Sequence, residues 1–406
     1  MLLSFFLLMQ DTSTAKMLLK QSTPMPLMVG KVTFEVTPNG GYMLYHKTPQ
    51  QRYFQHGGQL YGDYIVELGA PGYLPQKIAF TLNQPQLTIT VILKADPRWT
   101  RIPNTSSVDL SKWAFFNDKI AAQIEVNLSF SQTIPTLLTV SDYQLKPSEW
   151  LESVLPQTLM QQFIPQGDTR VFEAHLRLTR HPAYVIFYLL HRPTEYHQMW
   201  LVDLTSLNGS QIRQLAIPTS EHIFVAETAY MYIHYSIWTG SGYKQSEPHF
   251  TLVTFDSALT ILKSEDFVPQ LKATLPFARG FEPLAATKSF DKILIRANPS
   301  TNYALYEYAV IDTHTQKASL IVVDEDVSDA VWLTDHILLL YVVRNGIFEY
   351  DARTHSLRKI ASLREMNAEG LANVKFTPDA AYLVGLWDAH KEFLIFPLGS
   401  IYQRSE

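Results

Sequence analysis

Six times between residues 117 and 383 the chain runs a short turn straight into an apolar strand. The six turns are Asn117-Asp-Lys-Ile120, Pro182-Ala-Tyr-Val185, Thr228-Ala-Tyr-Met231, Phe290-Asp-Lys-Ile293, Thr334-Asp-His-Ile337 and Ala380-Ala-Tyr-Leu383. Their second residues stand at 118, 183, 229, 291, 335 and 381, so the gaps are 65, 46, 62, 44 and 46 residues. Three of these gaps match a repeat of four short strands, about 40–45 residues. The two wider gaps hold visible insertions. A repeat of this kind constrains the fold more than any single residue does, because each unit must bury its apolar face against the next.

The order inside each unit is constant. A strand leads in, as in Val171 to Leu178 or Val374 to Phe376, and the turn and a second strand follow. After a variable loop a third strand ends in an acidic turn: Trp200-Leu-Val-Asp203, Val253-Thr-Phe-Asp256, Val310-Ile-Asp312 and Phe348-Glu-Tyr-Asp351. A fourth strand closes the unit. Aspartate suits such a turn because its carboxylate accepts hydrogen bonds from backbone N–H groups just beyond it. Four antiparallel strands, six times over, describe a six-bladed β-propeller spanning about 107–401. The last unit, Asn373-Val-Lys-Phe-Thr-Pro-Asp-Ala-Ala-Tyr-Leu383, resembles the WD40-like repeat of the TolB-type propellers, with Phe376-Thr-Pro-Asp379 standing for that family's Phe-Ser-Pro-Asp turn. The chain runs out soon after the third strand of this unit. Its fourth strand is therefore expected from residues before Val108, where 96–106 is a linker or closing strand, since closure leaves no open edge. The insertion at 147–166 reads as a short helix capped at Ser148. Residues 101–170 are open to a second reading, an additional β-sandwich.

Residues 31–95 have a different style. Lys31 to Val36, Tyr42 to Tyr45, Tyr64 to Leu68, Lys77 to Leu82 and Leu87 to Leu93 alternate as strands between turns rich in glycine and proline. Pro38-Asn-Gly-Gly41, Thr48-Pro49, Gly62-Asp-Tyr64 and Pro71-Gly-Tyr73 together resemble the PEGA domain, a small β-sandwich module of surface and envelope proteins. The resemblance implies an appended module with no catalytic residues. A generic immunoglobulin-like sandwich is the alternative. The chain is thus expected to be all-β, a PEGA-like β-sandwich followed by a six-bladed β-propeller.

Composition narrows the class further. Of 406 residues 46% are hydrophobic and 17% charged, a globular balance. The formal charge of −5 leaves no basic footprint for nucleic acid. Without cysteine there is no disulfide, thiolate metal site or cysteine-linked lipid anchor. Leu2 to Met9 is an apolar run followed by Ser13 and Ala15 in a small-x-small pair. Residues 1–15 therefore read as a signal peptide or its remnant, or as a hydrophobic N-terminal strand, with 16–30 as linker. The run is too short to span a bilayer, which needs about 20 residues, so no transmembrane span is expected.

No catalytic constellation emerges, and neither cofactor nor metal is expected. Gly240-Ser-Gly242 lacks nucleophile-elbow spacing. His175 with His181, and His191 with His197, lie across turns without a metal-binding pattern. Asp324, Asp326 and Asp329 lack the glycine and terminal glutamate of a calcium loop and read as a solvated linker. Function is expected instead on the loops joining second to third strands, the longest of which is 236–249. The candidate partner-binding residues there are Arg192, Tyr196, Trp238, Tyr243, Lys244 and Arg344, residue types rich in the aromatic and arginine side chains that dominate binding hot spots. The resemblances imply an exported, non-enzymatic protein of the periplasm or cell surface of a bacterium. Its loop face would bind a protein partner in the cell envelope, with a glycan or cell-wall contact as a further expectation. The alternatives are a propeller hydrolase or lyase acting on envelope glycans, and a periplasmic small-ligand sensor.

Overall fold

A computed structural model describes residues 29–45 and 59–103, strand residues between 113 and 256, residues 258–298 apart from 279, and residues 306–402. The N-terminal run 1–15 and the helix expected at 147–166 lie outside the described residues. The chain is all-β with a few short helices. It divides into two compact units, Met1–Ala95 and Asp96–Glu406.

In the first unit Val29–Thr37 pairs in parallel with Gln86–Ile92 and antiparallel with Gln59–Leu60. A second sheet runs antiparallel through Tyr42–Tyr45, Gly62–Gly69 and Gln76–Leu82. Period-2 alternation gives each sheet one apolar face. Val66, Leu68 and Leu82 are buried. Phe34 of the first sheet meets Phe80 of the second edge-on at 5.6 Å, and Phe80 stacks on Tyr64 at 5.4 Å. The turn after Gly69 needs a left-handed residue, supplied by Gly72 at φ 71°, while the Tyr73 N–H donates to Ala70 O at 3.0 Å.

The second unit lays down successive antiparallel sheets in chain order. The first contains Trp113–Phe116 and Lys119–Ala122, and the second is built on Val171–Leu178, Tyr184–His191 and Tyr196–Asp203. The third has His222–Val225, Ala229–Trp238, Tyr243–Phe255 and Ile261–Asp266. The fourth has Gly280–Ala286, Lys292–Asn298, Glu307–Asp312 and Lys317–Ile321. The fifth has Val327–Trp332, Ile337–Val342, Gly346–Asp351 and Ser356–Ser362. The sixth has Ala372–Phe376, Tyr382–Trp387 and Glu392–Pro397, completed by Thr100–Pro103 from the start of the unit. From the third sheet to the sixth, each first strand lies beside the first strand of the next. Sheets that share a first-strand axis and close on an early strand form a β-propeller.

The repeated turns in the sequence have a common chemistry. In the fourth sheet Thr287 N–H donates to Lys292 O, Lys292 N–H returns to Thr287 Oγ1, and Phe290 is left-handed at φ 59°. Thr377, Tyr382 and Ala380, at φ 57°, repeat that pattern in the sixth. The acidic turns are equally regular. Asp256 Oδ1 accepts from Ala258 N and Thr260 N, Asp312 Oδ1 from Thr315 N, and Asp351 Oδ1 from Arg353 N, all at 2.8–2.9 Å. These carboxylates hold turns, the role aspartate has beyond a third strand.

Neighbouring sheets share cores. Phe250, Phe267, Leu271, Phe281, Ile295 and Ile311 join the third to the fourth across the short helix Val268–Thr274. Leu294, Tyr308, Val327, Leu338 and Tyr350 join the fourth to the fifth. Polar ties reinforce these joints. Tyr308 Oη accepts from Val327 N at 2.8 Å, and Asp329 Oδ2 from Phe376 N at 2.7 Å. Asp329 therefore does not belong to a solvated linker. It is buried, because the backbone N–H of the next sheet's first strand needs an acceptor there.

Candidate functional site

In an antiparallel sheet ordered first to fourth, the turn between second and third strands emerges at the same end as the link from a fourth strand to the next sheet. Five of the six sequence-predicted residues lie on or beside second-to-third turns. Arg192 lies outside the described residues. Tyr196 opens the third strand of the second sheet, opposite His191. Trp238 ends a second strand and Tyr243 begins the third strand facing it, with Ile237 opposite Lys244. Arg344 lies on the turn of the fifth sheet and is exposed. The fold brings Trp238, Tyr243 and Lys244 together on one hairpin. Tyr196 and Arg344 sit on the connections of two other sheets.

The stretch 236–249, expected as a loop, is mostly strand. Ala229–Trp238 and Tyr243–Phe255 continue as a hairpin past a bulge between His234 and Ser236. Tyr232, Ile233, Tyr235, Ile237 and Trp238 are β-branched or aromatic, which favours extending the ladder over looping out. At the fifth sheet the turn is tight. Asn345 N–H donates to Val342 O at 3.1 Å, Arg344 takes φ 61° and Gly346 φ 128°. A Cβ on residue 346 would stand 2.1 Å from Ala361 O, so only glycine fits.

Sequence reasoning missed two further features at this end. The first is polar. Glu282 and Arg296 face each other across the ladder of the fourth sheet, and both Arg296 Nε and Nη2 donate to Glu282 Oε2. The guanidinium lies 4.8 Å from the centre of the Tyr306 ring. Burial works against its charge, but Glu282 with Tyr308 and Tyr306 overcomes that and raises the Arg296 pKa. Burial pushes the Tyr308 phenol up to about 12, with the nearby Asp326 charge adding to it and the Val327 N–H opposing it. Asp326 keeps one enclosed oxygen, Oδ1, without a hydrogen-bond partner. Here the guanidinium is committed to Glu282, and the phenol holds its proton at any ordinary pH. Among the described residues no group of three or more His, Asp or Glu is placed to hold a metal ion. The alternating Glu282 and Arg296 give no hint of pairing without the register.

The second feature is apolar. Phe277 is 76% exposed on the link into the fourth sheet, and Val322 71% exposed on the link into the fifth. Leu320, just before that link, is 49% exposed. A lone Phe after Leu275-Pro276 carries no periodicity, so the sequence gives no signal for it.

The class defined by this fold is a β-propeller with a separate small β unit before it in the chain. No family model and no curated protein matches the sequence. Solved structures similar to it include an oligogalacturonate lyase in complex with manganese, 10% identical with a TM-score of 0.37, covering 84% of this chain and 87% of that one. The oligogalacturonate lyase of Vibrio parahaemolyticus is 8% identical with a TM-score of 0.37, covering 89% and 93%. The β-propeller domain of Myceliophteria thermophila Cps50 (Swd1) is 11% identical with a TM-score of 0.33, covering 82% and 93%. Likenesses at this level carry no inference about activity or partners.

Proposed function

We propose that this protein is a non-enzymatic scaffold of the bacterial cell envelope. In this reading the propeller has six blades, and the end bearing the second-to-third turns and inter-sheet links docks a protein partner. The first unit is a PEGA-like β-sandwich appended to the propeller, and the chain is exported. The observation that carries the docking reading is the exposure of Phe277 and Val322 on successive links at that end, the end that also bears Arg344. Large apolar side chains left in water on adjacent connections mark an interaction surface. A glycan-directed enzyme or a small-ligand sensor has less support, because Arg296 is committed to Glu282 and Tyr308 keeps its proton.

Lysine cross-linking in the native host tests the reading. Lys244 and Lys391 lie at the proposed docking end, on second-to-third connections, whereas Lys288 and Lys317 lie at the opposite end, on first-to-second and third-to-fourth turns. Partner cross-links are expected through the first pair. Cross-links confined to Lys288 and Lys317 would place the partner elsewhere. Substituting Arg192, Trp238 and Tyr243 together is expected to release the partner. Fractionation of the same cells reports export.

A further inference from the structure

The exposed apolar residues near Phe277 are not scattered. The helix Val268–Thr274 lies along the outer strand Lys317–Ile321, with Gln270 Nε2 donating to Gln316 Oε1 and Thr274 Oγ1 to Ala318 O, both at 3.4 Å. A helix rises about 1.5 Å per residue and a strand about 3.3 Å. Four helical residues therefore keep pace with two strand residues, as Gln270 to Thr274 does with Gln316 to Ala318. Beyond the helix, Leu275 and Ala278, on either side of Phe277, are buried in the core that also holds Ala309, the partner of Leu320 across the ladder. Ala318, Leu320 and Val322 share one face of the strand by the period of two. The helix covers Ala318, which packs against the core between the third and fourth sheets. Past the end of the helix, Phe277, Leu320 and Val322 are all left exposed.

The border of this exposed apolar strip is acidic. Tyr308 pairs with Ile321, and continuing that register sets Glu307 opposite Val322, on the same face. Asp324 and Glu325 follow in the chain. Glu307 and Asp324 are exposed and Glu325 half-buried. Among the described residues none of the three forms an ion pair.

We propose that the exposed apolar patch of Phe277, Leu320 and Val322 docks an apolar side chain from a lysine- or arginine-rich segment of a protein partner. This rests on the reading that this end of the sheets docks a protein, and it names the partner's chemistry. The apolar anchor supplies the contact area, and the acidic border selects against acidic segments, since like charges at a rim oppose binding.

The test uses two fluorescein-labelled heptapeptides and the full chain. One alternates leucine with lysine, and the other has glutamate for each lysine. By fluorescence anisotropy the basic peptide is expected to bind at least about tenfold tighter than the acidic one, a preference that shrinks with salt. Phe277→Ser with Val322→Ser is expected to weaken the basic peptide about tenfold or more. Glu307→Lys with Asp324→Lys should reverse the preference. All four positions are exposed, so unfolding midpoints should stay near that of the unaltered chain. Equal binding of both peptides overturns the proposal, as does a serine variant that binds like the parent. If partner cross-links through Lys244 and Lys391 persist while the serine variant binds unchanged, the apolar patch is excluded and docking at this end stands. If those cross-links are absent as well, both fall.

Discussion

The side-chain amide of Asn367 donates to Asp96 Oδ2 at 2.7 Å, joining residues 271 positions apart. The same carboxylate accepts from Arg98 Nε at 3.0 Å and from Nη2 at 2.6 Å, and its side chain is only 1% exposed. One residue further on, Trp99 Nε1 donates to Met366 O at 2.7 Å, and its ring packs 5.0 Å from Phe396. These contacts hold the segment before Thr100–Pro103 against the link between the fifth and sixth sheets. Asp96→Ala would strand Arg98 and Asn367 together. It is expected to cost about 2–4 kcal/mol, read as a lower urea midpoint at neutral pH. Asn367→Ala leaves the Arg98 pairing and should cost about 1 kcal/mol.

Stability should fall at both extremes of pH. Burial alone would raise Asp96 and Asp312, but hydrogen bonds and nearby positive charge overcome it. Arg98 and Asn367 do so at Asp96, and the Thr315 N–H with Lys292 at Asp312, so both end below the ordinary value. Asp351 is lowered chiefly by the Arg353 N–H. A carboxylate with a depressed folded pKa contributes stability in full above the unfolded value of about 4, and loses it as pH falls through the folded one. Burial pushes Tyr308 and Tyr341 up to about 12. A raised phenol contributes in full below about pH 10, and that contribution is lost between about 10 and 12. Urea midpoints should therefore be level between these limbs. Tyr341→Phe should soften the alkaline one, and absorbance at the phenolate band reports the ionisation directly.

Asp329→Ala removes the acceptor for the buried Phe376 N–H and is expected to destabilise by about 1–3 kcal/mol. Asp324→Ala, at an exposed position three residues before Val327, should stay within about 0.5 kcal/mol. Thermal unfolding of the two variants side by side separates a tie between sheets from a surface charge.

Gly346→Ala should cost about 2–4 kcal/mol, because the residue combines φ 128° with a Cβ position 2.1 Å from Ala361 O. Hydrogen exchange at Val343–Ile347 is expected to speed up with it. Arg344→Ala, exposed on the same turn, should leave both stability and exchange nearly unchanged.

What the sequence reveals here is local. Phe376-Thr-Pro-Asp379, Asp312 and Asp351 announce their turns because the hydrogen bonds that make those turns lie within five residues. A missing fourth strand in the last unit can be inferred by counting, since an open edge is costly, but Thr100–Pro103 cannot be singled out among the residues before Val108. Features set by register or distant packing stay hidden. The parallel pairing of Lys31 with Gln86 leaves no mark in either segment. Glu282 and Arg296 become a pair only once the ladder places them opposite each other. Asp329 looks like one more linker charge until the neighbouring sheet supplies a buried N–H. The polar residues Ser236, Gln245 and Ser246 disguise a hairpin as a loop. At the end bearing the second-to-third turns, Arg344 is visible as a turn residue, whereas Phe277 depends on where a seven-residue helix stops.

The pairing of Thr100–Pro103 with the last sheet also sets a schedule. Arg101 meets Glu392 291 residues later, so this strand leaves the ribosome long before its partner exists. At about 5–20 residues per second the wait is on the order of 15–60 s. Throughout that interval the nascent chain carries an unmatched strand at one end and an unfinished sheet at the other. The ring is thus sealed last. During translation its edge is open to chaperones, and to the same strand of a neighbouring nascent chain, and the closing contacts of Asp96 and Trp99 wait until Met366 and Asn367 have emerged.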